Sequence, residues 1–127
     1  MSRKTILEPY KAIDLTNFDN TVGTVFTAPI SVKNLDYIQF DLFCDSAAFG
    51  TVTIRVFSAN QLKDGSFTQW QELDMGVTIV IDPAVDPDAM IEIDATKLNS
   101  IMLSMTPNNV VIYDTFYTYV SGKVVGA

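Results

Sequence analysis

The chain contains no histidine and a single cysteine, Cys44, among 127 residues. Without histidine the commonest general base and the commonest metal ligand are both missing, so Ser-His-Asp and Cys-His catalysis is excluded. One cysteine forbids an internal disulfide, and with carboxylates alone beside it the donor set for zinc is poor. Basic residues are scarce as well: eight Lys and Arg stand against fifteen Asp and Glu, a net charge of −7. A phosphate backbone is held by neutralising it, so no nucleic-acid partner is expected. No apolar run approaches the length of about 18 residues that a membrane-spanning helix needs, and no signal peptide opens the chain. Neither G-x-x-x-x-G-K-[ST] nor G-x-G-x-x-G occurs. These absences predict a non-enzyme with no cofactor and no membrane partner, made in a cytoplasm where thiols stay reduced.

Carboxylates are the chemistry left over. A glycosidase pair needs a deep cleft, which so small a domain rarely holds. Asp82, Asp86, Asp88, Glu92 and Asp94 form the best calcium candidate, but no D-x-[DN]-x-[DN]-G loop is present. A solvated acidic edge accounts for all five without an ion, so no metal is expected.

What the chain does have is a series of short alternating segments. In Tyr37–Cys44 the residues Ile38, Phe40, Leu42 and Cys44 fall on one face, with Tyr37, Gln39, Asp41 and Phe43 on the other. Thr51–Ser58 sets Val52, Ile54 and Val56 against Thr51, Thr53, Arg55 and Phe57. Successive strand side chains point to opposite faces, so this period of two predicts half-buried β-strands. Further strands are expected at Phe67–Leu73, Met75–Ile81, Met90–Asp94, Ser100–Thr106 and Val110–Ser121. Thr21–Val32 is broken by Gly23 and Pro29, and Pro29 suits an edge or a bulge. Asp64-Gly65 is the strongest turn signal, and Ala95–Asn99 has room for one helical turn. The fold class expected is all-β, an antiparallel β-sandwich (jelly-roll or Ig-like) of about eight strands. Its predicted core holds Ile38, Phe40, Leu42, Val52, Ile54, Val56, Ile91, Ile93, Ile101 and Leu103, with Cys44 a buried small hydrophobe.

Residues 1–20 read as an N-terminal arm and residues 21–127 as the single sandwich domain. The arm is basic, with Arg3, Lys4 and Lys11 against Glu8 alone in residues 1–12, and has a possible short strand at Ala12–Leu15. It reads as a solvated, frayed terminus or as a docking arm, and in the second case it is expected to reach onto a neighbouring subunit instead of folding back. Tyr113, Tyr117 and Tyr119 line one face of the last strand, while Phe43 and Phe57 stand on the nominally outer face of two others. That second aromatic face fits an oligomer contact, a sugar-stacking platform, or simple cover by loops within the domain. Arg3, Lys4, Tyr10, Tyr113, Tyr117 and Tyr119 are the candidate interface residues.

From Tyr37 to Lys123 the order of pieces resembles a small β-sandwich type found among structural proteins of tailed bacteriophages. The matching pieces are Tyr37-Ile38-Gln39-Phe40, the Gly-led strand from Gly50 to Asn60, Gln69-Trp70-Gln71-Glu72-Leu73, Ser100–Thr106 and Val120-Ser121-Gly122-Lys123. The ordered set carries the resemblance; Met102 stands where that type has Arg. The resemblance implies a virion component without catalytic residues, most simply a capsid decoration or auxiliary protein. Its partners would be a major capsid or a neck or tail protein, together with copies of itself. The alternative is a glycan- or receptor-binding module displayed on a fibre or tail.

Overall fold

The computed structural model describes residues 3–15, 23–44, 50–74, 79–82, 88–108 and 116–125. Ten strands follow one another in this part of the chain: β1 (Arg3–Leu15), β2 (Val25–Phe26), β3 (Ile30–Ser31), β4 (Tyr37–Cys44), β5 (Thr51–Ala59), β6 (Gln71–Glu72), β7 (Ile79–Ile81), β8 (Asp88–Asp94), β9 (Ser100–Asn108) and β10 (Phe116–Val125). They form two antiparallel sheets. The first has the order β1-β10-β4-β8; the second has the order β2-β9-β5-β6, with β3 also on β9 and β7 also on β5. The fold is an all-β sandwich, as the alternation predicts.

The core lies between the sheets. Directly paired residues share a face, and the register sets Phe40 beside Val120 and Ile91, and Ile54 beside Met105. All ten predicted core residues are buried, with Ile30, Val32, Leu35, Ile81, Met105 and Val120 added to them. Among the buried polar residues, Thr118 and Thr27 have partners on β9. The Thr118 hydroxyl donates to the Met105 sulfur across the sandwich at 3.9 Å. Thr27, between β2 and β3, accepts from Leu103 N at 3.0 Å through its hydroxyl and donates its own N–H to Leu103 O at 2.9 Å. That pair carries the ladder on β9 past Pro29, whose edge position agrees with the reading of the sequence.

The largest correction concerns the N-terminal segment. Arg3–Leu15 does not stand off as an arm: it folds back as β1 and pairs with β10, Arg3 opposite Val125 and Lys4 opposite Val124. Its register shifts between Thr5 and Leu7, Leu7 and Tyr10, and Lys11 and Ile13. Each shift moves the inward position by one, so Leu7, Ala12 and Ile13 reach the core without a period of two. Bulges and Pro9 also suit an edge strand, since they discourage pairing with another chain.

Smaller differences have local causes. Phe67–Leu73 pairs only at Gln71–Glu72 and through a single bridge from Phe67 to Gln61. The last strand runs past Ser121 to Val125, because Gly122 and Lys123 continue the ladder opposite Ile38 and Tyr37. Ala95–Asn99 makes one hydrogen-bonded turn, Leu98 N to Ala95 O at 3.0 Å. Gly65 takes φ 91° in the Leu62–Ser66 turn, a left-handed conformation that favours glycine. The Cys44 side chain and residues 75–78 and 109–115 lie outside the described residues.

Candidate functional site

The outer face of the first sheet gathers Tyr117 and Tyr119. Alternation on β10 turns Tyr117 and Tyr119 outward together, and the register sets them opposite Phe43 and Asp41 on β4 and opposite Asp14 and Lys11 on β1. Phe43 stacks on Tyr117 with ring centroids 4.9 Å apart and planes 23° apart; Tyr119 meets Tyr117 edge-on at 5.5 Å. The Lys11 ammonium lies 4.8 Å from the Tyr117 ring centre and 5.7 Å from that of Tyr119, a cation–π arrangement. It also reaches Asp14 Oδ2 at 3.5 Å.

Beside these rings lies an open hollow of about 500 Å³, lined by Asp41, Phe43, Ala89, Met90, Tyr117 and Tyr119. Met90 is 65% exposed. The Asp41 carboxylate is held in place by its neighbours. Gln39 Nε2 donates to both of its oxygens at 3.1 Å, and Lys123 Nζ donates to Gln39 Oε1 at 2.6 Å. With its oxygen engaged by Lys123, the Gln39 amide can only present its NH₂ to Asp41, which sets the orientation of the carboxylate.

The outer face of the second sheet carries an apolar group of its own. Phe26 is 50% exposed and lies 6.0 Å from Phe57, the planes tilted by 56°. Met102 sits opposite Phe57, and Val80, half exposed, sits opposite Thr53. The Arg55–Glu72 ion pair, 3.3 Å, lies on the same face. Both of its partners are exposed, so it adds little stability. A third aromatic pair, Phe67 and Trp70, stands 5.1 Å apart in the segment before β6.

Of the residues singled out in the sequence, Tyr117 and Tyr119 come together as expected. Tyr10 is 41% exposed on β1, and partial burial raises its hydroxyl pKa. Arg3 and Lys4 are placed by backbone pairing in the same strand, so they do not extend from the domain. Tyr113, Asp86 and the Asp88 side chain lie outside the described residues. Among the described residues no three of His, Cys, Asp and Glu gather closely enough to hold a metal. Asp94 is used within its own turn: Thr96 donates to Oδ1 from its backbone at 3.0 Å and from its hydroxyl at 2.7 Å, and these bonds hold the carboxyl below its ordinary pKa. Sequence reasoning missed Phe26, Met102, Lys11 and Met90. Each lies in a segment whose cross-strand neighbour only the register reveals.

No family model matches the chain, and no curated protein sequence is similar to it. Solved structures are similar. The SPBc2 prophage-derived protein YomS superposes with a TM-score of 0.50 at 9% identity, over 93% of this chain and 96% of that one. The chain shares the YomS fold. A carbohydrate-binding module specific for non-crystalline cellulose, CBM28, superposes with a TM-score of 0.44 at 15% identity, over 95% of this chain and 76% of that one. At such identities the likeness to YomS is one of architecture, two antiparallel sheets packed face to face; the side chains on their outer faces are this chain's own.

Proposed function

We propose that the chain is a structural component of a bacteriophage virion, a capsid decoration or auxiliary protein that docks on the particle and reinforces it. The observation that carries this reading is the outer face of the second sheet, where Phe26 and Phe57 stand beside Met102 on paired strands. Rings held side by side by sheet register suit a broad protein contact, in which aromatic residues and Met are enriched. The ordered resemblance to phage sandwich proteins supports the reading, and a fold shared with a prophage-derived protein agrees with it. In this role many copies bridge neighbouring shell or tail subunits, and each seam gains buried area. The partners are a major capsid, neck or tail protein and further copies of this chain.

The test is to purify particles from cells that carry the gene and to locate the chain in them by mass spectrometry and imaging. Regular copies on the particle are expected. Occupancy should fall sharply for Phe26→Ser combined with Phe57→Ser, while the purified variant keeps its thermal midpoint. Particles free of the chain would refute the proposal.

A further inference from the structure

We infer that the hollow beside Asp41, Phe43 and Tyr117 binds a neutral saccharide. A pyranose has a flat face of C–H groups and a rim of hydroxyls, so its site needs an apolar ring wall and a fixed polar group at the edge. The first sheet provides both. Phe43 forms the wall, backed by Tyr117 stacked against it at 4.9 Å, and Met90 adds a soft apolar border. Asp41 provides the edge: an ionised carboxylate only accepts, and its charge strengthens bonds from hydroxyl donors. The Lys123–Gln39–Asp41 chain orients that carboxylate before any ligand arrives, which lowers the ordering cost of binding. The hollow, about 500 Å³, is within the usual range for a small-ligand site and is open enough for one or two rings of a longer chain.

Charge narrows the ligand class. With a net −7 and Asp41 in the hollow, an acidic polysaccharide is repelled. A cationic ligand is disfavoured differently, because Lys11 already fills the cation position over Tyr117 and Tyr119. The site lies on the sheet opposite to the Phe26–Phe57 face, so either assignment can fail without the other.

The experiment is an NMR titration of the isotopically labelled full chain with soluble tetrasaccharides of glucose, mannose and N-acetylglucosamine, and with tetragalacturonate as the acidic control. At least one neutral tetrasaccharide should move the Asp41, Phe43 and Tyr117 resonances, and tetragalacturonate should not. Phe43→Ala and Asp41→Asn should each weaken that binding by about tenfold or more. Thermal midpoints confirm that the variants remain folded, and the conservative Asp41→Asn serves if Phe43→Ala does not. The inference is overturned if no neutral sugar shifts these residues at about 10 mM, if shifts map to Trp70 instead, if tetragalacturonate binds as well, or if the folded variants bind unchanged.

Discussion

Leu35 Cδ1 stands 2.5 Å from the point that a β-carbon on Gly122 would occupy, and Leu7 Cβ stands 3.0 Å from the same point. Gly122 lies between Leu7 on β1 and Ile38 on β4, so its missing side chain is what lets Leu35 close over the sheet. Gly122→Ala should destabilise the domain by about 1–3 kcal/mol through overpacking. Denaturant unfolding measures this, and adding Leu35→Ala should recover part of the loss because the two side chains compete for one space.

Deleting residues 1–15 removes one of the two partners of β10, and with it Leu7, Ala12 and Ile13, which belong to the core or pack against it. The truncated chain should aggregate or lose cooperative unfolding, because a long unpaired strand then forms the sheet edge. A deletion that remains monomeric with the parental midpoint would contradict the role given to β1.

In the core, Phe40→Ala and Ile54→Ala should each cost about 2–5 kcal/mol. Val80→Ala, at a half-exposed outer position, should stay within about 0.5 kcal/mol of the parent. Comparable losses at all three positions would put the strand faces in question.

Acid stability should show two exposed turns. Asp64 is held below its ordinary pKa of 3.8 by the hydroxyl and backbone N–H of Ser66, and Asp94 by those of Thr96. A lowered folded-state pKa means that the stabilisation is complete above the unfolded value and disappears as pH falls through the folded one. The parent should therefore be more stable than Asp64→Ala with Asp94→Ala at neutral pH, and the gap should close below the ordinary carboxylate range. Melting temperatures across about pH 2–7 read the difference; a gap that persists to the lowest pH would refute the turn assignment.

Calcium at about 1 mM should leave the melting temperature unchanged, since a bound ion would raise it by linkage. A clear rise that disappears in Asp86→Ala with Asp88→Ala would overturn the reading of the acidic segment as a solvated edge.

The strands legible in the sequence are the ones whose faces never change. In Tyr37–Cys44 and Thr51–Ala59 the inward residues Ile38, Phe40, Leu42, Val52, Ile54 and Val56 recur at every second position, and they are the centre of the core. Strand β1 was legible only at its end, Ala12–Leu15, because three register shifts scramble its alternation and Pro9 hides it further. The sites were half legible for a related reason. Alternation shows that Phe43, Tyr117 and Tyr119 leave the core, but not that Lys11 and Met90, far along the chain, become their neighbours. Nor does local pattern show that Phe26 finds Phe57, since that pair depends on β2 and β5 flanking β9.

The place of β10 between β1 and β4 has a consequence for synthesis. The six described strands of the second sheet, β2, β3, β5, β6, β7 and β9, are all made by Asn108, so that sheet can assemble while its partner is still incomplete. β1 must wait through the whole intervening chain for the strand it pairs with, and β4 has only β8 until then. Such distant pairing is slow, and the uncovered inner face is prone to aggregation meanwhile. A chain cut short before Phe116 therefore has no means of closing the sandwich. The topology acts as a check on length, since only a copy whose translation has carried through β10 can complete the first sheet.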